Sequence, residues 1–307
     1  MKITVCTPTF NEKENIRELY SKIKDIFKKL NYDYEHLVID NNSNDGTIEI
    51  LKEIALEDKK FKVIINSKNY GHIKSPFHGL LQSDGDATIL MASDFQDPVE
   101  LIPKYIEEWK KGSKIVLGKK NNSEENKLIY SLRSFFYKFL NSISESDLTI
   151  NTTGSGIFDK KVIEKLKKIN DPLPYFRGLI TELGFDIAYI EFDQPQRILG
   201  KTKNNFFTLF DIAMLGIVKH SRKPLRFMVL VGFFASVICL FISVIYFIYK
   251  LIYWSTFALG VAPIVIGIFF VSSIQITLLG LVGEYIGIIL IHQRNMPLVI
   301  EKERINF

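Results

Sequence analysis

The sequence predicts an α/β fold: an open, mostly parallel sheet with helices on its faces, followed by a membrane anchor. Three observations carry this. Over the first part of the chain, short apolar runs alternate with stretches of helical period across short connections. Acidic residues recur where the apolar runs stop, at Glu12, Asp40 and Asp94. From Phe227 to Ile291 the only charged side chains are Lys250 and Glu284.

Taken in order, Ile3–Thr7 reads as a first strand, and Pro8-Thr-Phe-Asn-Glu12 as a turn with Asn11 as N-cap of the next helix. Ile16, Leu19, Tyr20, Ile23, Phe27 and Leu30 repeat at helical spacing and mark a core-facing stripe. His36–Asp40 is a second strand, and a helix runs from Ile48 to about Leu56. Phe61–Ile65 is a third strand, followed by a helix opened by Asn69-Tyr-Gly71. Ala87–Met91 is a fourth strand, Leu101–Trp109 a helix with Pro98 set to begin it, and Lys114–Leu117 a fifth strand. Leu128 to Ile143 is amphipathic, and Thr152-Thr-Gly-Ser-Gly156 reads as a tight turn. A helix over Lys160–Lys168, a turn at Tyr175–Gly178 and an edge strand over Ile187–Phe192 complete the domain.

Several function classes are excluded. There is no G-x-G-x-x-G and no P-loop, which argues against a dinucleotide enzyme or ATPase. A net charge of +5 is modest, and its basic residues crowd the apolar runs, so it speaks for a membrane surface and against nucleic acid. The two cysteines, Cys6 and Cys239, sit in a strand and an apolar run, with no zinc spacing around them. The first apolar run is short and broken by Pro8, Asn11 and Glu12, unlike a signal peptide.

The most informative stretch is Met91–Glu100, MASDFQDPVE. It places Asp94, Gln96 and Asp97 on a loop at the carboxyl end of a strand, where open α/β sheets bind ligands. Carboxylate and amide oxygens there suit a hard cation such as Mg²⁺ or Mn²⁺, which in turn suits a diphosphate. Each acid alone is ordinary as a cap or turn former. Glu12, Asp40 and Asp94 on one sheet edge favour a nucleotide site, with Asp40 accepting hydrogen bonds from a base or ribose.

The apolar run divides at Tyr249–Ser255 into two stretches, each of at least about 20 residues, the length of a spanning helix. Lys219, Arg222, Lys223 and Arg226 precede the first, and Arg294, Lys302 and Arg304 follow the second, so both ends are expected in the cytoplasm. Phe206, Phe207, Phe210, Met214, Ile217 and Val218 give the preceding segment the apolar face of an interfacial helix. Gly260, Gly267, Gly280, Gly283 and Gly287 would let helices pack closely, consistent with a homo-oligomer.

Together these residues resemble the family 2 glycosyltransferases that act on polyprenyl phosphates, from Ile3 to about Ile300. The resemblance rests on Cys6–Glu12, Asp40–Thr47, Asp94-Phe-Gln-Asp-Pro98, Phe176-Arg-Gly178, Gly200-Lys-Thr-Lys203, Lys223-Pro-Leu-Arg226 and Gly283-Glu-Tyr-Ile-Gly287. It implies a glycosyltransferase-A type sheet and inverting transfer from a nucleotide-sugar, UDP-linked by the same resemblance, to a polyprenyl phosphate. It divides the chain into a cytoplasmic catalytic domain (1–203), an interface helix (204–226), two transmembrane helices (227–291) and a cytoplasmic tail (292–307). By position, Pro8, Thr9, Glu12 and Asp40 would hold the nucleoside, and Asp94 with Gln96 the metal on the diphosphate. Arg133, Arg197 and Lys203 would meet the lipid phosphate, and Arg177 either donor or acceptor. The implied location is the cytoplasmic membrane.

Three positions depart from the family pattern. Ala92 stands where an Asp-x-Asp motif has its first acid, Ser155 where many bacterial members have an acid, and Lys119 where Arg is common. Ala92 keeps a second expectation alive: a membrane-anchored subunit that binds nucleotide-sugar with little turnover.

Overall fold

The computed structural model describes residues 1–120, 152–193, 223–253 and 261–307. Arg133, Arg197 and Lys203, the amphipathic stretch 128–143 and the interface segment 204–222 lie outside the described residues.

The expected alternation is present: β1 (Lys2–Thr9), α1 (Ile16–Leu30), β2 (Asp33–Asp40), α2 (Thr47–Glu57), β3 (Phe61–Asn66), α3 (Gly71–Leu81), β4 (Ala87–Leu90), α4 (Leu101–Lys110) and β5 (Ile115–Lys120). There follow β6 (Thr152–Asp159), α5 (Lys160–Lys167), α6 (Phe176–Glu182), β7 (Ile187–Phe192), α7 (Lys223–Ile252), α8 (Val261–Gln293) and β8 (Glu301–Ile305). One sheet of eight strands has the order β7-β5-β6-β4-β1-β2-β3-β8. The pairs β1–β2, β1–β4, β2–β3 and β5–β7 are parallel, and those of β6 and β8 with their neighbours are antiparallel.

The periodicities explain the packing. The α1 stripe of Ile16, Leu19, Tyr20, Ile23 and Phe27 is buried, and Asn31 ends the helix in the left-handed conformation, its N–H donating to the Phe27 carbonyl. Strand β2 is buried from Tyr34 to Asp40, as befits a central parallel strand covered on both faces. Helix α3 lies so close to the sheet that a Cβ at Gly79 would meet Ile39 Cγ2 at 2.7 Å.

The structure differs from the sequence reading at several elements. Thr152–Gly156 is the start of β6, inserted antiparallel between β4 and β5. Its glycines read as a turn, but Gly156 serves close approach: a Cβ there would run into the Val116 carbonyl oxygen. Tyr175–Gly178, read as a turn, is the N-cap and first turn of helix α6. Asn11 is not an N-cap; it has φ 56°, and α1 begins later, at Ile16. Pro98 sits in the turn before α4, its carbonyl accepting from the Leu101 N–H.

The segment 292–307, read as a tail, contributes β8. Its alternating charges disguised an edge strand, where charge on the exposed side is a common protection. Asn306 extends the seam by donating to the carbonyls of Ala55 and Phe61, at 2.6 and 2.8 Å. In the membrane part, α7 and α8 span 30 and 33 residues, and α7 takes in residues 223–226, assigned above to the interface helix. Among the described residues one segment, Ile274–Gln293, is long and apolar enough to cross a membrane, where two were expected.

Candidate active site

The carboxyl ends of β1 and β2 are level, with Thr9 opposite Asp40, and β4 flanks β1 on its other side. The loops leaving these strands therefore share one sheet edge, and side chains tie them together. Asp40 is fully buried; its Oδ1 accepts from the Ser43 N–H at 2.9 Å and its Oδ2 from the Ser43 hydroxyl at 2.5 Å. Burial pushes its carboxyl above the usual aspartate range, against the pull of the Ser43 hydrogen bonds. Asp45 accepts from the Thr47 N–H and hydroxyl at 3.0 and 2.5 Å and from the Lys13 N–H at 3.3 Å.

The first loop is held against the second. The Asn11 N–H donates to Ser43 Oγ at 2.8 Å, and Asn11 Oδ1 accepts from the Asn44 N–H at 2.9 Å. The Glu12 N–H donates to Thr47 Oγ1 at 3.0 Å, and the Glu12 carboxylate accepts from Asn15 Nδ2 at 2.7 Å. The third loop joins through Asn41, which donates to Asn69 Oδ1 at 2.8 Å and accepts from the Tyr70 N–H at 2.9 Å and Asn66 Nδ2 at 3.2 Å. Asn41 and Asn66 were missed in the sequence. The run of Asn and Ser after Asp40 was the available signal, because such residues hydrogen-bond loop backbone.

The loop after β4 carries the predicted metal residues. Asp94 and Gln96 are half-buried, and the Gln96 N–H donates to Asp94 Oδ1 at 3.2 Å. Between them, Phe95 is buried and adopts φ 59°, an uncommon conformation for a bulky residue. Its ring anchors the loop, with Lys22 Nζ of α1 standing 4.6 Å above it. That conformation is a strained one for a side chain of this size. Strain of this kind concentrates at functional sites. The Ser93 hydroxyl donates to the Pro8 carbonyl at 3.3 Å, fastening this loop to β1.

The amino end of β6 completes the edge. The hydroxyl of buried Ser155 donates to the buried Asp97 carboxylate, and Arg177 Nε lies 3.9 Å from where a Cβ at Gly154 would stand. Thus Pro8, Thr9, Glu12, Asp40, Asp94, Gln96 and Arg177 belong to one connected rim, while Arg133, Arg197 and Lys203 lie outside the described residues. Lys119 bridges to Glu191 of β7 at 3.2 Å. Among the described residues no group of three or more His, Cys, Asp or Glu side chains gathers as a metal cage. Asp94 with Gln96 offers the sparse oxygen set that a Mg²⁺-like ion takes when phosphates and water supply the rest. The buried Thr9 Oγ1 has no hydrogen-bond partner among the described residues, as expected of a group that waits for a ligand or water.

Residues 4–167 match the sequence pattern described as Glycosyl transferase family 2. The chain is 31% identical over 301 residues to an uncharacterized glycosyltransferase, YkcC, of Bacillus subtilis (strain 168), covering 98% of this chain and 93% of that protein. It is 30% identical over 304 residues to a prophage-derived bactoprenol glucosyl transferase of Shigella flexneri, covering 99% of this chain and 98% of the relative. Among solved structures, it resembles glucosyl-3-phosphoglycerate synthase of Mycobacterium tuberculosis, crystallised with Mn²⁺, uridine diphosphate and phosphoglyceric acid. The TM-score is 0.51 at 18% identity, over 71% of this chain and 76% of that one, a likeness of fold.

Proposed function

The chain belongs to glycosyl transferase family 2, and from that premise we propose that it moves a sugar from a nucleotide-sugar, UDP-linked, to a polyprenyl phosphate at the cytoplasmic face of a membrane. The observation that carries the reading is the rim of tied loops at the carboxyl edge of the sheet, with Asp40 at one end and Asp94 at the other. The near full-length similarity to a bactoprenol glucosyl transferase supports the acceptor class.

In the proposed reaction a phosphate oxygen of the acceptor attacks the anomeric carbon, and the bond from that carbon to the nucleoside diphosphate breaks. The electron pair leaves with the diphosphate, and the sugar inverts. The acceptor is a phosphate monoester with a second pKa of about 6, so at pH 7 it is mostly dianionic and needs no strong general base. Its needs are placement and charge compensation. Pro8, Thr9, Glu12 and Asp40 would hold the nucleoside, Asp94 and Gln96 a divalent cation, and Arg177 an anionic group beside Gly154. A bound Mg²⁺ or Mn²⁺ would neutralise charge growing on the leaving diphosphate. The Mn²⁺ and uridine diphosphate in the crystallised synthase support that choice of ion and base.

Two crossings of the membrane remain our reading. Strand β8 follows α8 directly and returns to the sheet the chain left after β7, a course that an even number of crossings satisfies. A homo-oligomer is proposed from the open surface at Gly267, Gly280, Gly283 and Gly287 of α8, where an added Cβ would meet nothing within 4 Å. A crosslinking ladder in native membranes checks it.

The decisive experiment pairs the purified protein with Mg²⁺ or Mn²⁺, a panel of labelled nucleotide-sugars and undecaprenyl phosphate. A lipid-linked sugar is expected with one or a few UDP-sugars. Nucleotide binding without transfer from any donor would favour the second reading, a nucleotide-sugar-binding subunit, which Ala92 motivates.

A further inference from the structure

Helix α8 does not end loosely. Asn295, at φ 46°, stops it in the left-handed conformation, its N–H donating to the His292 carbonyl at 3.2 Å. At this stop, two polar contacts attach the end of the candidate span to the loop between α5 and α6. His292 Nε2 lies 3.5 Å from Asp171 Oδ1, and Asn170 Nδ2 donates to Asn295 Oδ1 at 2.8 Å. Leu298, just beyond, packs into the cluster that holds Phe176, Leu179 and Ile180 of α6. Asp171 also organises the loop, accepting from the Leu173 N–H at 2.9 Å. The first turn of α6 carries Arg177, beside Gly154 at the rim. A seam of contacts therefore runs from the end of the candidate span to the loop and helix that carry Arg177.

We infer that this seam sets the height of Arg177 above the bilayer, making Asn170, Asp171, His292 and Asn295 positioning residues for a membrane-held acceptor. The proposal rests on the polyprenyl-phosphate reading above. An acceptor whose apolar chain stays in the bilayer presents its phosphate at a fixed depth. The protein must then hold its anion-binding group at a matching depth, and the contacts of His292 and Asn295 with the loop before α6 would do so. A soluble acceptor has no such requirement, because it diffuses to the site wherever the site stands.

That difference supplies the test. The full-length protein in proteoliposomes is assayed with undecaprenyl phosphate in the bilayer and with a short-chain, water-soluble prenyl phosphate from solution. The variant His292→Ala/Asn295→Gly removes both polar contacts, and glycine keeps the helix stop. Its KM for the bilayer acceptor should rise roughly tenfold, the scale of a small misplacement. Its KM values for the soluble acceptor and the donor should stay within about twofold, the mark of an effect confined to one partner. His292→Gln, which keeps a donor toward Asp171, should behave as wild type. Unchanged KM values in the double variant, or equal losses on both acceptors, would overturn the proposal while leaving the acceptor reading intact. A wild-type protein that transfers to neither acceptor would overturn the acceptor reading, and the proposal with it.

Discussion

Strand β2 carries two buried acids, Glu35 near its amino end and Asp40 at its carboxyl end, and they are handled in opposite ways. Glu35 is 3% exposed and meets Lys2 Nζ at 2.6 Å, Lys62 Nζ at 2.9 Å and the Thr4 hydroxyl at 2.7 Å. Burial would raise its carboxyl, but the two lysines and Thr4 outweigh that and hold it below the usual range. Asp40 is equally buried, yet its partners are the neutral N–H and hydroxyl of Ser43, and its carboxyl lies above the usual range. One end of the strand spends its acid on stability. The other keeps an acid with no cation paired to it among the described residues, where a nucleotide is proposed to sit. A buried charge left uncompensated costs folding free energy and is retained where function requires it.

The predictions sharpen this contrast. The largest effect is expected at the rim: Asp94→Ala should lower transfer by at least about a hundredfold, as for other groups that stabilise developing charge. Its thermal unfolding should match wild type, and near-normal turnover would remove Asp94 from the metal assignment. Glu35→Gln should cost about 2 kcal/mol in denaturant unfolding, because Lys2 and Lys62 lose their buried partner yet still reach solvent. Its kcat should not change. Asp40→Asn should do the reverse, raising the KM for donor about tenfold while adding up to about 1 kcal/mol of stability at pH 7.

The signs with pH are opposite as well. Glu35, lowered on folding, contributes stability that is present above its ordinary value of 4.5 and is lost as pH falls through its folded value. Asp40, raised on folding, contributes stability below its ordinary value of 3.8 that is lost as pH rises through its folded value. Glu35→Gln should therefore flatten the acid limb of a stability–pH curve, and Asp40→Asn should lift its neutral region. The smallest effect is expected from Lys22→Ala, about 0.5 kcal/mol for a partly exposed cation over the Phe95 ring.

Much of this was legible in the sequence because periodicity reports burial. The α1 stripe and the apolar runs of β1 to β5 fell where burial placed them, and the strand-end acids reached one edge because parallel strands point the same way. What escaped reading depends on partners distant in sequence. Gly156 looks like a turn residue until β5 is set against it. The alternating charges of Glu301–Ile305 look like a solvated tail until β3 offers an edge. Glu35 and Asp40 look alike until Lys2, Lys62 and Ser43 are brought beside them. The left-handed Phe95 left no local signal, since only its burial against α1 makes that conformation worth holding.

The central claim is that the carboxyl edge of the sheet is the donor site and the amino end is structural. Calorimetric titration of uridine diphosphate with Mg²⁺ into wild type, Asp40→Asn and Glu35→Gln tests it most directly. Weaker binding in Asp40→Asn alone, with Glu35→Gln indistinguishable from wild type, is the predicted result. Equal affinity in all three proteins, or an equal loss in both variants, would contradict it.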